Sequence, residues 1–131
     1  MEDLTFLSVD DVLLIHADTI ELDGGSQGVR DHGLLDAAVA MPRQQFGGAF
    51  LHKDVAAMAA AYLFHIAQNH PFIDGNKRAA AMAALVFLQV NGIKHLPTPE
   101  ELEVTTRQVA SGEMTKEKLT QWLRDQIKSR R

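Results

Sequence analysis

The sequence has 131 residues, a net charge of −4 and 46% hydrophobic residues, which fits a single domain, residues 1–131, with a substantial core. It contains no cysteine, which excludes disulfides and thiolate metal sites, and its acidic N-terminus lacks the basic and apolar segments of a signal peptide. No Lys/Arg run covers a face and no apolar run reaches the roughly 20 residues of a membrane span, so we expect a cytoplasmic protein that binds neither nucleic acid directly nor a membrane.

Helical patterns fill the first third of the chain. Ser8 is a good N-cap for a helix over residues 9–20, and Asp31 can cap a second helix that Pro42 ends. Short apolar arms then flank Gly47 and Gly48. These arms predict either a small hairpin or a plain loop.

Two helices that are apolar nearly all round follow, over residues 54–69 and 76–91, and we expect them to be buried in the middle of a bundle. Gly92 is a natural stop for the second of them. Further on, Thr98 and Thr115 are good N-caps for two amphipathic helices. The sequence therefore predicts an all-α fold, a compact bundle of about six helices with a possible short β-hairpin.

Polar residues interrupt the two most apolar helices at residues 70–78, which read His-Pro-Phe-Ile-Asp-Gly-Asn-Lys-Arg. Burying so many polar groups is unfavourable unless they are paired, and a cleft open to solvent or ligand removes the difficulty. An ordinary structural turn is the alternative, because Pro, Asp, Gly and Asn are common turn residues.

The segment has the chemistry of a phosphate site. Gly75 and Asn76 begin a helix, where backbone N–H groups lack partners and the helix dipole is positive. Lys77 and Arg78 place cations against that dipole, which a bound anion explains. Asp74 can hold Mg²⁺ beside phosphates, and the His70 imidazole can accept a proton from a hydroxyl.

The same nine residues resemble the signature of the Fic/Doc family, which reads His-x-Phe-x-Asp/Asn-Gly/Ala-Asn-Gly/Lys-Arg. The pairs Gly24-Gly25, Phe87-Leu88 and Asn91-Gly92 are also similar to the Doc (death-on-curing) branch. The resemblance covers roughly residues 10–125. It implies the helical Fic fold, in which a hairpin flap at the position of Gly47 docks a target segment by strand addition.

The resemblance also implies roles for individual residues in an ATP-using enzyme. His70 would be the general base, and Asp74 would coordinate Mg²⁺ on the phosphates of ATP. The backbone of Gly75 and Asn76 would form an anion hole, and Arg78 would bind phosphate.

Lys77 distinguishes the branches of the family. AMP-transferring members typically carry glycine there, whereas a lysine resembles Doc proteins, which transfer the γ-phosphoryl group of ATP. We therefore expect Lys77 to take part in catalysis and in ATP binding, and we also count Phe72, which should pin the loop, among the ATP-binding segment. Asp74-Gly75 together with Pro71 is also the AMP-transferring pattern, so the site is better defined than the reaction.

The resemblance implies a toxin that phosphorylates a threonine or serine of a translation factor of the elongation factor Tu type. Its antitoxin would be a separate protein of the Phd type, because the chain lacks the inhibitory Ser/Thr-x-x-x-Glu-Gly/Asn pattern that many Fic enzymes contain. Two alternatives stay open. One is a protein AMP-transferase, and the other is a catalytically silent binding module with the same fold.

Overall fold

Six helices and one two-stranded hairpin make up residues 3–128, the part of the chain that this computed structural model describes. The helices are α1 (Val9–Asp23), α2 (His32–Ala40), α3 (Val55–Asn69), α4 (Asn76–Val90), α5 (Pro99–Ala110) and α6 (Lys116–Gln126). The hairpin pairs β1 (Gln45–Phe46) with β2 (Ala49–Phe50) in antiparallel register, and a short 3-10 turn, Met41–Arg43, precedes it. The predicted all-α fold of about six helices with a short hairpin is confirmed.

Side-chain caps explain where most of the helices begin. In five of the six described helices the N-cap oxygen accepts a backbone N–H of the first turn, and these caps are Ser8, Asp31, Asp54, Thr98 and Thr115. The helix α4 is different, because its N-cap is Gly75 and no side chain caps it. Its first amides therefore remain available to another partner.

The two apolar helices predicted for the centre are the central pair of the bundle. Helices α3 and α4 pack against each other along their length, and α1, α2, α5 and α6 surround them. Alanine dominates the contact between α3 and α4, and Ala59, Ala60, Ala79 and Ala80 are fully buried. Small side chains let the two backbones approach closely, which fixes the ends of α3 and α4 relative to each other.

The outer segments depart from the prediction in one place. Helix α1 continues three residues beyond the predicted end and stops at Asp23, because Gly24, with φ 88°, is the first residue to leave the helical conformation.

Tyr62 holds the segment before α1 against the core. Its hydroxyl accepts the Leu7 N–H at 2.8 Å and donates to the Leu7 carbonyl at 3.2 Å. Burial raises the pKa of Tyr62 to about 12. No helix within residues 3–128 has the length and apolar character needed to cross a bilayer.

Candidate functional site

The predicted site is a loop that joins the C-terminus of α3 to the N-terminus of α4 and opens on a cavity of about 420 Å³. Seven residues of the predicted segment line this cavity, and α5 contributes two more. The lining residues are His70, Ile73, Asp74, Gly75, Asn76, Lys77, Arg78, Glu103 and Arg107. The structure thus brings together all the predicted site residues except Phe72.

His70 sits at the C-cap of α3 in a left-handed conformation, with φ 48° and ψ 54°. This conformation is unfavourable by about 1 kcal/mol for a residue with a Cβ, and the surrounding structure has to hold it. Arg30 does so, because its Nε donates to the His70 carbonyl at 2.7 Å and its Nη2 donates to the Asn69 carbonyl at 2.9 Å. The imidazole of His70 is exposed toward the cavity.

A short strand-like contact from residues 28–31 holds the rest of the loop. The Arg30 N–H donates to the Pro71 carbonyl at 2.7 Å, and the Ile73 N–H donates to the Gly28 carbonyl at 3.1 Å. Val29 and Phe72 form an isolated antiparallel bridge between these bonds. Arg30 therefore lies behind the loop as a support and is not among the residues that line the cavity.

Phe72 and Asn76 close the loop from within. The Phe72 side chain is 1% exposed and stacks on the His16 ring at a centroid distance of 3.7 Å. The Asn76 side chain accepts the Phe72 N–H at 2.8 Å and donates to the Phe72 carbonyl at 3.0 Å. Phe72 therefore does not line the cavity with its side chain, and it pins the loop as the sequence predicted.

Asp74 is fixed by three hydrogen bonds. Its carbonyl accepts from His16 Nε2 at 2.8 Å, and its carboxylate accepts the backbone N–H groups of Gly75 at 2.9 Å and Ser26 at 3.2 Å. Gly25 packs so close that a Cβ there would lie 2.8 Å from Asp74 Oδ2. The carboxylate is thereby oriented while its remaining lone pairs stay exposed to the cavity.

The N-terminus of α4 forms the floor of the cavity. Gly75 adopts φ 74°, and a Cβ at this position would lie 2.8 Å from Ile20 Cδ1, so both the backbone conformation and the packing favour glycine. The amides of residues 76–78 follow in the first helical turn, where no intrahelical acceptor exists. With Lys77 and Arg78 exposed beside them, these groups offer the hydrogen-bond donors and positive charge that suit an anion.

Two residues of α5 complete the cavity, and sequence reasoning missed both. Glu103 Oε1 lies 3.2 Å from Arg78 Nε, and Asp23 Oδ2 approaches the same nitrogen at 3.6 Å. Arg107 lies one turn after Glu103 and also lines the cavity. Nothing in the local pattern of α5 marks these two residues, because only the packing of α5 on α4 brings them to the site.

A second polar cluster, formed by His52, His65 and Lys116, lies outside this cavity. Lys116 Nζ donates to His52 Nε2 at 2.9 Å and to His65 Nε2 at 3.0 Å. Burial, followed by the charge of Lys116, lowers the pKa of His65 to about 4, and the same two causes lower the pKa of His52. Burial also lowers the pKa of Lys116. Both Nε2 atoms accept from Lys116, whereas His52 Nδ1 is the buried side-chain nitrogen left without a hydrogen-bond partner in the described part of the chain.

The donor set around Asp74 fits a Mg²⁺ ion that is bound mainly through phosphates. Magnesium commonly uses one or two carboxylates together with substrate phosphates and water. Within residues 3–128, no three His, Asp or Glu side chains converge as a metal site. A single oriented carboxylate beside an anion site therefore suits a metal that arrives with a nucleotide better than one held by the protein alone.

Comparisons with known proteins identify a matching family model and similar relatives. A family model described as the Fic/DOC family matches residues 6–88. The chain is 48% identical over 71 residues to the toxin Doc of Mycolicibacterium smegmatis, a match that covers 54% of this chain and 55% of that protein. It is 30% identical over 118 residues to the protein kinase doc of Escherichia phage P1, a match that covers 90% of this chain and 92% of that protein.

Proposed function

The chain belongs to the Fic/Doc family, and from this premise we propose that it is the toxin of a toxin–antitoxin pair and acts as an ATP-dependent protein kinase. One observation carries the proposal: His70, the Asp74 carboxylate and the uncapped N-terminus of α4 meet in one cavity. The names of the two relatives, a toxin and a protein kinase, support it. The proposed substrate is a threonine or serine of a translation factor of the elongation factor Tu type, in the cytoplasm.

The proposed reaction transfers the γ-phosphoryl group of ATP to the target hydroxyl. The hydroxyl oxygen forms a bond to the γ-phosphorus, and the bond from the γ-phosphorus to the bridging oxygen breaks, so that ADP leaves. His70 accepts the hydroxyl proton, because a neutral imidazole can act as a general base and this one is exposed to the cavity. The support of the loop by Arg30 keeps the imidazole in position for this step.

The remaining residues of the cavity hold the nucleotide. The amides at the start of α4 donate to phosphate oxygens, and the cations of Lys77 and Arg78 neutralise phosphate charge as it shifts during transfer. Arg78 Nε pairs with Glu103, so a phosphate has to compete with this carboxylate for that nitrogen or bind the other nitrogens of the guanidinium. Lys77 bears no ion pair to a carboxylate within the described residues and is free to approach the transferring group.

Asp74 would hold Mg²⁺, since its carboxylate is oriented by Gly75 and Ser26 and faces the anion site. When bound, the ion would offset the negative charge of the phosphates. The chain's own contribution is to fix the direction of that carboxylate. His16 assists from below, because its hydrogen bond to the Asp74 carbonyl sets the backbone from which the carboxylate extends.

The hairpin of β1 and β2 is the proposed docking edge for the target segment. It lies exposed beside the bundle, and the Phe46 side chain at its tip is 84% exposed. An unpaired strand edge can add a strand from another chain through backbone hydrogen bonds. We also propose that a separate antitoxin of the Phd type binds this chain and restrains its activity.

The first test is label transfer from ATP. Purified protein is incubated with Mg²⁺ and either elongation factor Tu or a fractionated bacterial lysate, once with γ-labelled and once with α-labelled ATP, alongside His70→Ala. We expect label from the γ-phosphate only, lost in the variant. Label from the α-phosphate only would replace the kinase proposal with AMP transfer, and no label with either nucleotide in any lysate fraction would favour a silent binding module.

A further inference from the structure

Helix α5 contributes one wall of the cavity, and the residues that do so lie outside the predicted segment. Glu103 and Arg107 are four residues apart, so they share one face of the helix, and both line the cavity. The opposite side of α5 buries Leu102, Thr105 and Val109 against the bundle. The position of Arg107 is therefore fixed by a well-packed helix rather than by a loop.

The ion pairs of the cavity distinguish Arg107 from Arg78. The Arg78 guanidinium has carboxylate oxygens of Asp23 and Glu103 within 3.6 Å, whereas no carboxylate of residues 3–128 lies within 4.0 Å of the Arg107 guanidinium. An arginine without an acidic partner that faces a cavity is a ready donor for an anion, since its planar fork matches carboxylate and phosphate oxygens.

Arg107 also determines the net charge of the cavity lining. Lys77, Arg78 and Arg107 are its cations, and Asp74 and Glu103 are its carboxylates, which leaves one positive charge in excess. Without Arg107 the lining side chains would be neutral overall. A nucleotide triphosphate carries several negative charges, and a neutral lining would depend on the helix amides alone to attract it.

We propose that Arg107 is a phosphate-binding residue that contacts the triphosphate of the nucleotide from the wall opposite α4. This inference rests on the proposed function for the identity of the nucleotide. The competing explanation is that Arg107 only complements the dipole at the C-terminal end of α5, where a cation is favourable. That role would affect the stability of the helix and leave phosphate binding unchanged.

The test is an equilibrium binding titration of the full chain with Mg²⁺ and two ligands, ATP and inorganic tripolyphosphate. We expect Arg107→Gln to weaken both by about tenfold, and Arg107→Lys to weaken both less, since the charge stays and the fork is lost. Lys118→Gln is the matched control, because it removes one exposed helical cation outside the cavity and should leave both affinities unchanged. Thermal unfolding of each variant reports any change in fold.

The other possible results would contradict the proposal, and they differ in whether they also contradict the proposed function. Unchanged affinity of Arg107→Gln for ATP, or equal weakening by Lys118→Gln, would overturn the role of Arg107 and leave the kinase proposal intact. A loss for ATP without a loss for tripolyphosphate would place Arg107 on the nucleoside and overturn phosphate binding. A wild-type chain that binds neither ligand would overturn the proposed function together with this inference.

Discussion

Two histidines near the C-terminal end of α3 lie five residues apart and have opposite surroundings. His65 accepts a hydrogen bond from Lys116 at 3.0 Å in a cluster that also contains His52, and its pKa is lowered to about 4. His70 leaves the helix in a left-handed conformation and presents its imidazole to an open cavity. Both residues interrupt an apolar helix, so composition alone does not separate them.

The two histidines differ in the hydrogen-bond partners of the polar groups around them. Around His65 the polar groups pair with one another, and the cluster ties the start of α6 to α3 and to His52 behind the hairpin. Around His70 the polar groups are held by backbone hydrogen bonds from behind, and their functional atoms remain open toward the cavity. Polar side chains that bond mainly to one another stabilise the fold, whereas polar side chains that are held from behind and open to a cavity are prepared for a ligand.

The largest expected effect comes from exchanging the two histidines for alanine in turn. His70→Ala should lower label transfer by at least about 10³-fold, because the proton acceptor is lost, with a stability change within about 0.5 kcal/mol. His65→Ala should leave transfer within about threefold and lower the free energy of unfolding, because Lys116 loses an acceptor. Label transfer and urea unfolding of both variants provide the measurement. If His65→Ala removed activity without loss of stability, the division between the two clusters would be wrong.

The variant Gly75→Ala tests the packing beneath the polar residues that surround His70. Gly75→Ala should lower the free energy of unfolding by about 2 kcal/mol, because φ 74° is unfavourable for alanine and its Cβ would lie 2.8 Å from Ile20 Cδ1. In the Ile20→Val background, which removes that methyl group, part of this loss should be recovered. Gly47→Ala is the matched control for backbone strain, since it also has positive φ and meets no atom within 4 Å. Equal losses for Gly75→Ala with and without Ile20 Cδ1 would show that the packing contact is unimportant.

The cluster of His52, His65 and Lys116 should make the free energy of unfolding depend on pH. The folded pKa of His65 is lowered to about 4 and that of His52 is also lowered, so between about pH 4 and 6.5 the unfolded chain binds more protons than the folded chain. The free energy of unfolding should therefore be highest above pH 6.5 and fall as the pH decreases toward 4. Protonated imidazoles would also repel the Lys116 ammonium, with Glu117 the acidic neighbour that offsets part of that charge. The loss should be on the order of 1–2 kcal/mol, allowing for partial exposure.

Urea unfolding at several pH values between 7.5 and 4.5 measures this slope. His65→Gln should flatten it, because the variant has no group that titrates in this range at that position. His70→Gln should retain the slope, since His70 lies outside the cluster. A slope that survives His65→Gln and His52→Gln together would assign the pH dependence to other residues.

Much of the fold could be predicted because its determinants are local. The caps at Ser8, Asp31, Thr98 and Thr115 each depend on residues within one turn, and the apolar surfaces of α3 and α4 are visible in the sequence itself. The site segment could also be predicted, because its polar residues are consecutive and disturb that apolar pattern. The end of α1 was missed by three residues, since the sequence does not show which residue before Gly24 is the last to stay helical.

The residues that could not be predicted act through tertiary contacts. His16 stacks on Phe72 and bonds to Asp74 across 58 residues, and Arg30 reaches His70 across 40 residues. Glu103 and Arg107 come to the cavity only because α5 packs on α4. A histidine or arginine of this kind has no local pattern that separates it from a residue on a solvated face, and only the packing of the helices identifies its partner.

The smallest expected effect concerns the ion pair between Arg78 and Glu103, in which one cation of the cavity already has an acidic partner. Arg78 pairs with Glu103 at 3.2 Å, so a nucleotide phosphate must compete with this carboxylate for the guanidinium. Glu103→Gln removes the competing charge and should raise the affinity for ATP by about threefold, a modest gain because both side chains are more than one-third exposed and the pair is screened by solvent. Glu101→Gln would disturb the capping box of α5, so Glu100→Gln, on the same helix and outside this cavity, is the better control. The gain should shrink as salt is added, since screening already weakens the pair in the wild type. A loss of affinity in Glu103→Gln would instead show that Glu103 positions Arg78 for phosphate, and the pair would then belong with the supporting contacts behind the loop rather than with the groups that a ligand displaces.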